Sequence, residues 1–459
     1  MQEITLRLSL PYREDASSWF DHFAKNDWAI FLDSCQPNSQ DGDLDIIAAQ
    51  PWQTLWFDQN GWTLEKHWPL SQGKVNPETA PIKQTGTENP WQKLQQLIQQ
   101  CPETAPLHGA VVGYWGYHID QPKQDRDSWM PQMAVGFYDW LLVTDHKNKT
   151  CQLMAAGVHI NEQQLIDIKN DLLKKSSNKY TDFKLTSEPT NLMSKQQYQN
   201  HFEKIKKYLK DGDCYQVNLT QAFEAKFTGD SWSAYQQLRK KNPAPFSAFI
   251  RTPHGSLVSC SPERFLKLDQ QQVETKPIKG TRPRGKTPQQ DLLLKQQLQA
   301  SQKDQAENLM IVDLLRNDLG MSCTPGSIHV PGLFEIESFA NVHHLVSTIR
   351  GKLDPKQSPI ELLQHAFPGG SITGAPKKRS MEIINELEAI GRSIYCGSIG
   401  YIDFSGKMDT SITIRTAICS DDTIRWWGGG GIVYDSKVDE EYQESFDKVD
   451  NIARLLKAM

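Results

Sequence analysis

The sequence lacks any apolar run approaching the roughly 20 residues of a membrane-spanning helix, and this speaks against a helical membrane protein. It also lacks paired cysteines. The eight that are present, from Cys35 to Cys419, are scattered without a C-x-x-C motif, which disfavours a disulfide framework and a structural zinc site. Charge of either sign is in little excess: 50 Lys and Arg against 55 Asp and Glu leave a formal charge of −5, giving no general pull toward nucleic acid or anionic membranes. The opening MQEITLRLSLPYRED has no apolar signal-peptide core. Together with thiols that read as reduced, this leads us to expect a cytoplasmic chain. Neither a G-x-S-x-G elbow nor an H-E-x-x-H motif occurs, and no cysteine sits in a glycine-rich elbow, so hydrolysis through a Ser or Cys triad is disfavoured. A phosphate loop is disfavoured as well: Gly369 and Gly374 have the right spacing, but Ala375-Pro376 stands where Gly-Lys should begin.

The 459 residues are more than one ordinary domain needs. We expect an N-terminal domain over 1–175 and a second, catalytic domain over 195–459, with the polar, weakly periodic stretch 174–194 as boundary or crossover. The first part reads as strand-rich, with aromatic and β-branched runs at 108–120 and 135–146, and a Pro/Gly/Thr-rich surface loop at 72–90. From residue 195 helix and strand signals alternate. Helices are expected over 194–214, with Ser194 as N-cap, over 306–320, closed by Gly320, over 375–392, with Pro376 in the first turn and Gly391 near the end, and over 440–459. Strands are expected at 256–269, 397–404, 410–419 and 423–435. This order points to an α+β fold with substantial antiparallel sheet.

Several constellations carry chemistry. Asp304 and Glu307 lie three residues apart on one expected helix, and Glu441 and Glu444 repeat that spacing on another, with Lys448 one turn further on. Two such pairs could grip a hard cation such as Mg²⁺ from opposite sides; the other reading is two solvated helix faces. Gly428–Gly431 follow an expected strand, where backbone N–H groups can approach a ligand, and Gly369, Gly370 and Gly374 precede a helix whose N-terminus favours an anion. Ordinary turns would use the same residues. Glu263 follows Pro262 at a strand break, positioned to enter a cleft or to pair with Arg264. Arg415 interrupts a run of Ile and Thr, and His343 and His344 read first as structural. Lys279, in PIKGT, has Lys276, Arg282, Arg284 and Lys286 close by. It is either one more cation on a basic loop or a nucleophile.

Taken in order, YQVNLT, NPAPFSAFI, SPERFL, PIKGTRPRG, AENLMIVDLLRNDLG, VHHLVSTIRG, FPGGSITGAPKKRSMEIINELE, YCGSIGYID and GGGIVYDS…EEYQE resemble the chorismate-binding enzymes. Members of that family form anthranilate, 4-amino-4-deoxychorismate, isochorismate or salicylate. The likeness is dense from 195 to 459 and thinner before it. It implies a large composite α+β fold of mainly antiparallel sheets packed face to face and surrounded by helices. It also implies Glu307 and Glu444 as Mg²⁺ ligands with Glu441 and Asp304 nearby. Tyr395, Arg415 and the backbone of Gly429, Gly430 and Gly431 would contact the enolpyruvyl carboxylate, with Lys448 near the metal. Glu263 would be the general acid, and His344 and Ser371 would line the ring.

Two positions sort the family. Members that add water carry a lysine where this chain has Gln216, which cannot act as a base. The lysine at 279 marks members that aminate chorismate at C4, whereas anthranilate-forming members, the alternative assignment, typically carry alanine. The resemblance thus implies a covalent Lys279 adduct, with ammonia delivered from glutamine by a separate amidotransferase subunit, because no glutaminase signature is present. Some relatives also hold a tryptophan. Here Asp33, Ser34, Asn242, Pro243, Pro245 and Phe246 would form that site, the other reading being core packing.

Overall fold

Residues alternate in side-chain direction along a strand, so one short strand can serve two cores. The strand Ala29–Asp33 does this: Ile30 belongs to one hydrophobic cluster, while Ala29 and Phe31 belong to another. The computed structural model describes residues 5–37, 42–67, 81–121, 128–339 and 342–458. Among them the strands form two sheets, of thirteen and twelve strands, and every pairing between named strands is antiparallel. The larger cluster takes residues from both sheets, including Ile30 and Leu257 from the thirteen-stranded sheet and Val111 and Leu266 from the twelve-stranded one. The sheets therefore pack face to face, as the family likeness implies. The smaller cluster joins the far side of the larger sheet to helices, through residues such as Phe249 of a strand and Trp232 and Leu238 of the helix Ser231–Lys241.

Both sheets draw strands from each side of residues 175–195. Ala29–Asp33 pairs with Phe246–Thr252, and Ala110–Trp115 pairs with Ser398–Asp403. The stretch 174–194 itself carries two strands of two residues each.

The expected helices are present with shifted ends. Ser194 caps Lys195–Asp211 in a capping box with Gln197. The second expected helix runs over Gln302–Gly320, starting behind the Ser301 cap, and Gly320 is its last residue and not a left-handed terminator. Lys377–Leu387 begins after Pro376, which stands at the cap position, and ends before Gly391: the backbone is already extended at Glu388, whose carboxylate pairs with Arg392 at 2.8 Å. The C-terminal helix spans Val438–Lys457. In the expected loop at 72–90, residues 72–80 lie outside the described residues, while 82–86 form a strand and a helix starts at Pro90. Gly428–Gly431 lie inside the strand Thr423–Ile432, not after it.

Two of the expected strands are each two strands. Gly255–Ser261 lies in the larger sheet and Arg264–Asp269 in the smaller, with Pro262 and Glu263 at the crossing. Met408–Ile412 and Thr416–Ser420 are divided in the same way, with Thr413, Ile414 and Arg415 between them. Arg415 has a positive φ of 52°. The two crossings are bonded to each other: Ile412 N–H donates to Glu263 O at 3.0 Å, and Cys260 N–H to Arg415 O at 3.1 Å. The chain thereby places an acid and a guanidinium at the seam between the sheets.

One buried ion pair anchors the larger sheet's outer core. Arg239 donates to Asp33 at 2.5 and 3.0 Å, and both side chains are buried. Arg239→Ala would leave Asp33 uncompensated and is expected to cost about 3–5 kcal/mol. Urea denaturation followed by circular dichroism checks this; an unchanged midpoint would refute it.

Candidate active site

A cleft of about 530 Å³ opens where the two crossings meet the edge strand Ile278–Pro283 and two helices, Gln302–Gly320 and the C-terminal helix. Lys279 lies on that edge strand. Gly280 beside it has a φ of +83°, and a Cβ there would meet the Asp304 carboxyl carbon at 2.9 Å. A larger residue would therefore push the strand off the helix.

One turn joins the two candidate reactive groups. Ser371, in the short 3₁₀ turn Gly370–Ile372, donates its hydroxyl to Glu263 Oε1 at 2.7 Å, and its carbonyl accepts from Lys279 Nζ at 3.3 Å. Burial pushes the Glu263 carboxyl above its ordinary range, against the opposing hydrogen bond from Ser371 and the field of Lys279. Burial lowers the Lys279 ammonium, and the Lys448 ammonium lowers it further. The acid is thus biased toward its protonated form and the amine toward its neutral form. This is the pairing a general acid and an amine nucleophile require.

The remaining walls carry most of the other expected contacts. His344 is buried, its Nδ1 lies 2.8 Å from Thr281 Oγ1, and burial together with Arg415 pushes its pKa down to about 4, leaving a neutral imidazole. Tyr395 stacks on Trp427 with ring centroids 5.9 Å apart. Arg415, Gly429 and Gly431 line the same cleft. Gln216 and Gly430 do not. Gln216 is buried against Gly431, and its Oε1 has no hydrogen-bond partner. Gly369 and Gly374 serve packing, Gly374 pairing with Val217, while Lys377 at the helix start is held by Asp318 at 2.7 Å.

Four acids line the mouth, Asp304 and Glu307 on one helix and Glu441 and Glu444 on the other. Glu441 and Glu444 close over Gly430, whose added Cβ would lie 3.2 and 3.3 Å from their carboxylate oxygens. Burial raises the Glu307 and Glu441 carboxyls, and nearby acids, including Glu444 for both, push them further the same way. Lys448 Nζ stands 2.6 Å from Glu444 Oε1 and donates to Gly429 O at 3.0 Å. Asp304 pairs with Arg282 at 3.1 Å. As placed, no three His, Cys, Asp or Glu side chains among the described residues are grouped at metal-holding distance. The donor chemistry nevertheless fits a hard divalent cation, since four carboxylates line one mouth and such a cation takes oxygen ligands.

The expected tryptophan residues separate. Asn242 lines the main cleft, whereas Asp33, Pro245 and Phe246 line a second cavity of about 120 Å³. Ser34 lines neither, and its hydroxyl donates to Asp45 at 2.7 Å; Pro243 also lines neither. Sequence reasoning passed over Asn218, Lys303, Trp427 and Asp447, all of which line the main cleft. Asn218 lies in YQVNLT, Trp427 and Asp447 lie within three residues of GGGIVYDS and EEYQE, and Lys303 is found by its i,i+4 spacing to Glu307.

The chain belongs to the chorismate binding enzyme family, whose profile matches residues 51–454. Among its relatives, aminodeoxychorismate synthase component 1 of Escherichia coli (strain K12) is 42% identical over 462 residues, covering 98% of each chain. The protein of the same name from Klebsiella aerogenes is 43% identical over 463 residues, covering 98% of this chain and 99% of its own. The crystal structure of anthranilate synthase component I from Streptococcus pneumoniae superimposes with a TM-score of 0.75 at 26% identity, covering 90% of this chain and 93% of its own. Among the described residues no helix is long and apolar enough to cross a membrane, and all eight cysteines are free thiols.

Proposed function

We propose that this chain catalyses the aminodeoxychorismate synthase reaction in the cytoplasm, converting chorismate and ammonia to 4-amino-4-deoxychorismate for 4-aminobenzoate and folate synthesis. The observation that carries the reading is the coupling of Lys279 to Glu263 through Ser371. The neutral Lys279 amine attacks C2, the two ring double bonds shift, and the C4 hydroxyl leaves as water with the proton of Glu263. Ammonia then attacks C4, the double bonds return, and the C2–Nζ bond breaks to release lysine as a free amine. The new C4 ammonium returns a proton to Glu263, so the balance is chorismate plus ammonia to product plus water.

Arg415, Tyr395 and the backbone of Gly429 and Gly431 would hold the enolpyruvyl carboxylate, and His344 would pack on the ring as a neutral group. Glu307 and Glu444, with Glu441 and Asp304 nearby, would hold Mg²⁺, which would supply positive charge for the ring carboxylate. The names of these relatives, each a component 1, support a separate partner, which we take to be a glutamine amidotransferase passing on the amide nitrogen. A tryptophan in the second cavity would have to be held without Asp33. That carboxylate already accepts from Arg239, Tyr235 at 2.6 Å and the Cys35 N–H at 2.7 Å.

The test is product analysis after incubation with chorismate, Mg²⁺ and an ammonium salt at mildly alkaline pH. A product aminated at C4 with its enolpyruvyl ether intact is expected. Anthranilate with free pyruvate would replace this assignment by the anthranilate synthase reaction.

A further inference from the structure

Lys303 lies in the first turn of the helix Gln302–Gly320 and lines the mouth of the cleft. Its ammonium stands 4.0 Å from Glu307 Oε1. Its field also reaches Glu441 and Glu444 from the opposite wall. The position is a poor one for a cation, because a helix N-terminus already carries partial positive charge. Asp304, the next residue, does little to offset it, since its carboxylate is engaged by Arg282 at 3.1 Å. Lys303 thus sets its charge against the local helix field and toward the carboxylates across the mouth. With Lys448 on Glu444 at 2.6 Å, each wall of the acid cluster has an ammonium of its own.

We propose that Lys303 is a built-in competitor for the divalent cation, occupying the carboxylate cluster when no cation is bound and swinging outward when one enters. This rests on the reading that Glu307 and Glu444 hold Mg²⁺. The side chain suits such exchange: it is 65% exposed and long, and it holds Glu307 only at the outer limit of an ion pair, so its release costs little. Lys448, bonded to both Glu444 and a strand carbonyl, is the more firmly held of the two. The competitor lowers cation affinity and makes it depend on ionic strength, because an exposed ammonium is screened by salt.

The test is calorimetric titration of MgCl₂ into the full chain without substrate. Lys303→Gln is expected to bind Mg²⁺ about three- to fivefold more tightly than wild type, the scale of an exposed ion pair. The difference should narrow as KCl is raised from about 20 to 300 mM. Lys303→Arg, which keeps the charge, should bind as wild type does. Removing a cation from a helix N-terminus favours the helix, so the glutamine variant is expected to fold.

Equal or weaker Mg²⁺ binding by Lys303→Gln would overturn the competitor. Unchanged Mg²⁺ binding with weakened chorismate binding would overturn it too, reassigning Lys303 to the substrate. A separate titration of Glu307→Gln isolates the metal reading. If that variant binds Mg²⁺ as wild type does, or if wild type binds none, the metal assignment falls and the competitor falls with it.

Discussion

Replacing Lys279 by arginine is expected to lower C4 amination by about 100-fold or more, because a charge is kept and the proposed nucleophile is lost. A solvated lysine on a basic loop would tolerate this exchange. The described position would not: Nζ lies against the Ser371 carbonyl, one residue's reach from Glu263. Lys279→Ala should lose C4 amination to a similar extent, but it also opens space beside C2. Residual turnover in that variant is expected to place nitrogen at C2, since ammonia could then attack where the proposed mechanism has the lysine attack. Mass spectrometry with chromatographic separation of the C2 and C4 isomers reads both effects. Full C4 amination by either variant would end the covalent role of Lys279.

Glu263→Gln is the second large effect. Removing a general acid typically costs about 10²–10⁴-fold, and glutamine keeps the shape and the hydrogen bond from Ser371 while losing the transferable proton. The pH profile separates this from a packing defect. Burial raises the Glu263 carboxyl and lowers the Lys279 ammonium, so the two groups approach each other from opposite directions. Rising pH frees the amine and ionises the acid, and the rate of chorismate consumption should trace a bell. In Glu263→Gln the descending alkaline limb should disappear while the ascending limb remains. A variant with a full bell at reduced height would assign the proton to another group.

Much of the helical frame is legible in the sequence because its signals are local. Ser194 followed three residues later by Gln197 specifies a capping box, and Tyr198, Phe202, Ile205 and Leu209 specify the face that becomes buried. The crossings at Glu263 and Arg415 are not local. Each run reads as one strand, because periodicity does not register which sheet a strand joins, and only the antiparallel partners on either side force the division. Of the site, the acid pairs were visible from spacing, and the roles of Lys279 and Glu263 came from the family likeness. The Arg282–Asp304 pair and the stacking of Tyr395 on Trp427 depend on approach between distant elements. The burial of Gln216 away from the cleft does too. Its place in the chain next to Tyr215, which is 68% exposed, gives no hint of it.

The seam between the sheets makes the protein a caliper. Glu263 and Arg415 ride on the points where the chain leaves one sheet for the other, while Lys279 rides on the edge strand of the twelve-stranded sheet. The gap the reaction must span is therefore set by how thick the packing between the sheets is. A residue such as Leu257 or Leu266, deep in that packing and remote from the chemistry in role, acts as a shim. Thickening it by one methylene would open the jaws by a fraction of an ångström, and misplacement by about 1 Å can cost 10²-fold in rate. The interior of this fold gauges catalytic distance as well as supporting the sheets.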